Sequence, residues 1–105
     1  MVRFLAEDGW GMISSFSNKD TQELFDGGST RGIPPEIIKS AERKLDMINA
    51  ATDIKDLRSP PGLRLEQLKG AMRGYWSIRV NDQWRITFKW SAPDATEVLL
   101  VDYRH

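Results

Sequence analysis

The last four residues, Asp102-Tyr103-Arg104-His105, form the densest group of proton-handling side chains in the chain. A carboxylate, a phenol and an imidazole in close succession can orient, take and give protons, as general acid–base chemistry requires. Upstream, between Gly62 and Trp90, lie Arg64, Lys69, Arg73, Arg79, Arg85 and Lys89 against only Glu66 and Asp82, a local charge of +4 in a chain that is formally neutral. Such an asymmetry makes a basic face that attracts polyanions. The two groups suit one reaction. RNA is cut without a metal when a 2′-hydroxyl attacks its own phosphate, given a base, an acid and cations for the developing charge. Lys69, Arg73 and Arg85 can provide the charge, Tyr103 and His105 can shuttle protons, and Asp102 can orient them. A terminal Tyr-Arg-His is equally what a solvated tail looks like.

Other chemistries are poorly served. The absence of cysteine excludes disulfides, thiolate metal sites and cysteine nucleophiles, and fits a reducing cytoplasm. His105 is the only histidine, so a zinc site would need carboxylates almost throughout, which zinc sites seldom use. No metal and no cofactor is expected. The loop Gly27 to Gly32 lacks the Gly-Lys-Ser/Thr order of a phosphate loop, and no Gly-x-Ser-x-Gly elbow supports serine catalysis. No apolar run is long enough for a membrane span, and residues 1–11 lack the basic start and apolar stretch of a signal peptide.

The chain's 105 residues suit one domain. Residues 1–11, with Trp10, read as an N-terminal extension to which no role is assigned, and residues 12–105 as the domain. Met12-Ile-Ser-Ser-Phe is a short β-like run. Asn18 caps a first helix over Lys19 to Asp26, stopped by Gly27-Gly28. Pro34-Pro35 opens a second helix, whose Ile37, Ala41, Leu45 and Ile48 make a core stripe widened by Ile38. Thr52 caps a short turn ending at Leu57. Leu63 to Leu68 reads as a strand and Gly70 to Gly74 as a loop with Arg73 at its tip. Tyr75 to Val80, Trp84 to Trp90 and Val98 to Val101 complete the strands. The order β-α-α-β-β-β-β reads as an α+β domain with the helices packed on one face of a twisted sheet.

The hairpin of residues 75–90 fixes its own register. With Asn81-Asp82-Gln83 as the turn, Val80 faces Trp84, Arg79 faces Arg85, Ile78 faces Ile86 and Trp76 faces Phe88. One face is then apolar, and Trp76, Trp84 and Trp90 belong to the core rather than to stacking on bases. The other face sets Tyr75, Ser77 and Arg79 beside Arg85, Thr87 and Lys89. Like charges directly opposite destabilise a sheet. Either an anion belongs between the arginines, or they splay into solvent or pair with Asp82 and Glu66. Tyr75 can stack on a base or pack over a lysine stem.

These segments resemble the HigB toxins, or plasmid maintenance killer proteins, of the RelE/ParE superfamily. The first half contributes Met12-Ile-Ser-Ser-Phe, Leu24-Phe25, Gly28-Ser-Thr-Arg-Gly, Ala41-Glu-Arg-Lys-Leu and Asn49-Ala-Ala-Thr. The second contributes Leu63-Arg-Leu-Glu-Gln-Leu-Lys-Gly70, Gly74-Tyr-Trp-Ser-Ile78, Trp84-Arg-Ile-Thr-Phe and Val101-Asp-Tyr103. The resemblance spans Met12 to Tyr103, and Gly74 to Phe88 is its specific part. It implies a RelE-like α+β fold, two N-terminal helices packed on a curved, mainly antiparallel sheet of four to five strands, and a toxin that cleaves mRNA in the ribosomal decoding site, without metal, neutralised by a helix-turn-helix, HigA-like antitoxin. Lys69, Arg85, Asp102 and Tyr103 stand at the family's lysine, arginine and terminal Asp-Tyr positions. Two departures stand out. Glu66 occupies a position where the family often has histidine; a carboxylate is a base, but it also repels phosphate. Arg104 displaces His105 by one residue from the usual Asp-Tyr-His ending, which on a strand reverses side-chain direction.

The leading expectation is a cytoplasmic, ribosome-dependent endoribonuclease toxin that is monomeric alone and hetero-oligomeric with its antitoxin. Its partners are mRNA and the 70S ribosome. Lys69, Arg73 and Arg85 bind phosphate, Tyr103, His105 or Glu66 moves protons, and Arg64, Arg79, Lys89 and Tyr75 extend the RNA surface. Two alternatives stand beside it: a non-enzymatic toxin that blocks a partner such as a topoisomerase, and a degenerate toxin that acts only with its antitoxin.

Overall fold

A computed structural model describes residues 12–103. The expectations on the extension 1–11 and on Arg104 and His105 lie outside the described residues. The chain runs β1 (Met12–Ile13), α1 (Lys19–Asp26), α2 (Ile38–Ala50), β2 (Glu66–Gln67), β3 (Tyr75–Arg79), β4 (Trp84–Ser91) and β5 (Asp94–Asp102), with short 3₁₀ turns at Pro35–Ile37, Ile54–Leu57, Pro61–Leu63 and Gly70–Met72.

Both helices start and stop for local reasons. The Asn18 side chain accepts from the Thr21 amide at 2.8 Å, and Gly27 closes α1 in the left-handed conformation, φ +80°, which glycine adopts without a Cβ penalty. On α2, Ala41, Leu45 and Ile48 are fully buried, and Ile37 in the preceding turn is nearly so, as the helical period requires. The next turn is capped by Asp53 rather than by Thr52. The Asp53 carboxylate accepts from the Lys55 amide at 2.9 Å, while Asp56 accepts from the amides of Thr52 and Asp53. Those amide bonds hold the Asp56 carboxyl below its usual range.

The sheet has five strands in the order β1-β5-β4-β3-β2 and is mixed, with β1 parallel to β5 and the other pairs antiparallel. A strand therefore precedes the two helices, and one edge pair is parallel. Two side chains knit this edge to the helices. Asn49, buried on α2, accepts from the Ile13 amide at 2.9 Å, and Thr21 Oγ1, buried on α1, accepts from the Leu100 amide at 3.1 Å. The core lies between helices and sheet: Leu24, Ala41, Leu45 and Ile48 meet Ile78, Ile86, Phe88, Val98 and Leu100.

The β3–β4 register matches the pattern read from the alternation, with Arg79 opposite Arg85, Ile78 opposite Ile86 and Trp76 opposite Phe88. Asn81 builds the turn by accepting from the amides of Gln83 and Trp84, both at 2.8 Å. Two strands differ from expectation. Only Glu66–Gln67 of the segment 63–68 is strand, because Pro61–Leu63 winds into a 3₁₀ turn and Arg64 is left-handed, φ +46°. The last strand starts at Asp94 instead of Val98, since a tight turn after Ser91 sends the chain straight back along β4.

Candidate active site

The helices cover one face of the sheet, and Arg85 dominates the other. Its Nε donates to Ser77 Oγ at 2.9 Å and its Nη2 to the Arg64 carbonyl at 2.8 Å, with Glu66 Oε1 3.4 Å from Nη2. The guanidinium also lies 5.5 Å from the centroid of the Tyr103 ring. The side chain is 12% exposed and Ser77 beneath it is fully buried, so Arg85 is held rather than splayed. The left-handed turn at Arg64 turns its carbonyl to Arg85, so a backbone conformation unusual for a non-glycine residue serves the site directly. Glu66 on β2 and Tyr103 beyond β5 flank the cation from either side of β4, on the same face of the sheet.

The C-terminal pair is tied to the hairpin turn. Asp102 pairs with Trp84 in the ladder, Gln83 Nε2 donates to Asp102 Oδ2 at 2.9 Å, and the Tyr103 amide donates to the Gln83 carbonyl at 2.6 Å. Asp102 and Tyr103 are thus anchored. Gln83, which supplies both contacts, is a site residue that the sequence did not single out.

The two opposed arginines do not share an anion in this structure. Arg79 pairs with Asp82 in the turn, and Arg85 with Glu66. Lys89 is paired as well, 3.3 Å from Glu97, with its ammonium 5.2 Å from the Tyr75 ring centroid. Tyr75 donates to Glu97 at 2.6 Å, which pushes its phenol above its usual range, while that bond and Lys89 hold the Glu97 carboxyl below its own. Tyr75 and Lys89 therefore form a second cluster with Glu97 beside the Arg85 node. Nothing in the sequence marked Glu97, because its role depends on a bulge in β5.

Three of the six basic residues between Gly62 and Trp90 are accordingly paired with acids. The other three, Arg64, Lys69 and Arg73, are exposed and make no ion pair among the described residues. Lys69 precedes the 3₁₀ turn Gly70–Met72 and Arg73 follows it, between Gly70 and Gly74, both at positive φ. The site is therefore a fixed, half-buried guanidinium beside a carboxylate and a phenol, with exposed cations near the β2 edge. Among the described residues, no group of three His, Cys, Asp or Glu side chains is placed to hold a metal, and no helix is long and apolar enough to cross a membrane.

The fold is a small α+β domain with helices on one face of the sheet and the Arg85 node on the other. Residues 14–104 match the family model described as RelE-like toxin of type II toxin-antitoxin system HigB, and the chain belongs to that family. It is 39% identical over 92 residues to the Endoribonuclease HigB of Proteus vulgaris, covering 88% of this chain and 99% of that protein. It is 41% identical over 80 residues to the Toxin HigB-1 of Vibrio cholerae, covering 75% of this chain and 84% of that one. Among solved structures, the YoeB dimer from Staphylococcus aureus overlaps at a TM-score of 0.48 and 15% identity, covering 90% of this chain and 95% of that one. As a type II toxin, the protein has an antitoxin partner.

Proposed function

We propose that this toxin is a metal-independent endoribonuclease that cleaves mRNA on the translating ribosome. The observation that carries the reading is the Arg85 node, a guanidinium fixed by Ser77 and Arg64 between Glu66 and Tyr103. The name of the Proteus vulgaris relative, an endoribonuclease matched over almost its whole length, supports it.

In the reaction, Glu66 takes the proton of a 2′-hydroxyl, whose oxygen bonds to the adjacent phosphorus. The bond from phosphorus to the 5′-oxygen breaks, and that oxygen receives a proton from Tyr103 or His105. Arg85 stabilises the charge developing on the phosphoryl oxygens, while Lys69, Arg73 and Arg64 hold neighbouring phosphates. The placement of a base and an acid on either side of one cation suits a displacement in which nucleophile and leaving group are opposed. Asp102 fixes the start of the terminal segment. The fold is RelE-like, and the toxin works in the cytoplasm, monomeric until bound by a helix-turn-helix antitoxin of the HigA kind.

One observation favours a non-cutting toxin. Arg85 is already paired with Glu66, a carboxylate that also repels phosphate, so a toxin that blocks a partner protein is the second reading.

The test is to induce the protein without its antitoxin and map new 5′ ends on cellular mRNA. Translation-dependent cuts that vanish with Arg85→Ala are expected. Growth arrest without cuts selects the blocking toxin, and no arrest at all marks a degenerate one.

A further inference from the structure

Glu97 has no part in the reaction above, yet the fold takes on strain to place it. Its φ is +52°, a left-handed conformation disfavoured for residues with a Cβ. It sits where β4–β5 pairing steps from Thr87–Leu99 to Lys89–Thr96, so β5 carries one residue more than β4. Bulges of this kind re-aim side chains and recur beside active sites. The Glu97 amide donates to Ser15 Oγ at 2.9 Å, fixing the strained backbone from the neighbouring segment. Each carboxylate oxygen then has its own partner: Oε1 accepts from the Tyr75 hydroxyl at 2.6 Å, and Oε2 lies 3.3 Å from Lys89 Nζ. With Lys89 also lying over the ring, Tyr75 is held by its hydroxyl and by one face. Strained non-glycine conformations persist only where their surroundings over-determine them, and they gather at functional sites.

The place of this ring on the sheet gives the strain a purpose. Tyr75 and Ser77 are same-face neighbours on β3, about 7 Å apart along the strand, and Ser77 anchors Arg85. The Leu68 amide donates to the Tyr75 carbonyl at 2.8 Å, so Leu68 lies opposite Tyr75 and Lys69 follows it past the sheet edge. A partly buried aromatic side chain thus stands next to the residue that anchors the Arg85 guanidinium, on the same face of the sheet. Within the cluster Lys89 and Glu97 cancel, and an incoming phosphate would meet a carboxylate; an uncharged, planar group would not.

We infer that Tyr75 is the stacking platform for one nucleobase next to the scissile phosphate, and that Glu97, with Lys89, is the positioning residue that holds it. The inference rests on the ribonuclease reading. The base covers the ring face that Lys89 leaves, and stacking of this kind tolerates any base.

The test uses programmed ribosomes carrying short messages with one abasic nucleotide, stepped through the exposed codon, and follows single-turnover cleavage by the full chain. For the wild type, loss of the base at one position beside the cut is expected to raise the half-saturating toxin concentration about tenfold or more. Tyr75→Leu is expected to show that rise on intact message and to be indifferent to the abasic site at that position. Glycine is at ease at positive φ, so Glu97→Gly removes the tether without backbone strain. It is expected to raise the half-saturating concentration with its melting temperature kept, which a purely structural role would lower. If Tyr75→Leu and the wild type lose equally at every abasic position, the platform is refuted while the nuclease reading stands. If the wild type makes no cut that Arg85→Ala fails to make, the nuclease reading falls and the platform falls with it.

Discussion

Replacing Arg85 with lysine keeps the charge and removes the fork. The guanidinium reaches Ser77 Oγ at 2.9 Å, the Arg64 carbonyl at 2.8 Å and Glu66 Oε1 at 3.4 Å in one pose. A lysine ammonium is a compact point on a flexible stem and serves one of these partners at a time. The groups left behind are not equally hydrated: Ser77 is fully buried, whereas Glu66 is 59% exposed and recovers water readily. A hydrogen bond from a charged donor is worth roughly 1.5–3 kcal/mol. Loss of the Ser77 and Arg64 bonds, discounted for solvent at the rim, amounts to about 2 kcal/mol. In a domain of this size that lowers Tm by roughly 8–16 °C. Cleavage should fall further, by about 10²–10³, the usual cost of removing one preorganised donor from developing charge. Thermal melting and single-turnover cleavage on programmed ribosomes measure the two effects. An Arg85→Lys protein that melts and cuts like wild type would show that charge alone suffices and that the fixed fork has no role.

Glu66→Gln keeps the shape beside Arg85 and removes the base; cleavage at saturation should drop by about 10²–10⁴, and a faster variant would mean that the carboxylate only repels phosphate. Lys69→Ala should weaken binding and flatten its dependence on salt, lowering the slope of log affinity against log salt by about 0.7 for one phosphate contact on a single strand; an unchanged slope removes Lys69 from the RNA. Thr21→Val is nearly isosteric at a fully buried position and leaves the Leu100 amide without its 3.1 Å acceptor. It should cost about 1–3 kcal/mol in denaturant melts with cleavage of the folded protein intact.

Much of the fold was legible because its signals are local. Asn18 and Gly27 bound α1 through their own backbone and side-chain geometry, the α2 stripe follows from a period of 3.6, and the alternation of two strands fixes the hairpin register from pairs at most 14 apart in the chain, Tyr75 with Lys89. The cap of the third turn was misread because Thr52 and Asp53 are both competent and side-chain reach decides between them. The strand at 63–68 shrank because Arg64 takes a left-handed turn that its side chain does not announce. The parallel pairing of β1 with β5 joins residues some eighty positions apart, a choice that packing makes and pattern does not.

For the site, the sequence by itself determined which chemistry was available: no thiol, one histidine at the very end, a basic second half and a terminal Asp-Tyr-Arg-His. It also set Arg79 against Arg85, and so posed the question of what neutralises them. Only the tertiary structure answered it. Asp82 takes Arg79 within the turn, while Ser77 on β3, Glu66 on β2 and the Arg64 carbonyl just before β2 take Arg85. Glu97 was invisible until a bulge in β5 turned it toward Tyr75 and Lys89. Residue types fix charge and reactivity one by one, but pairing energies depend on distance and burial, and only the folded chain sets those.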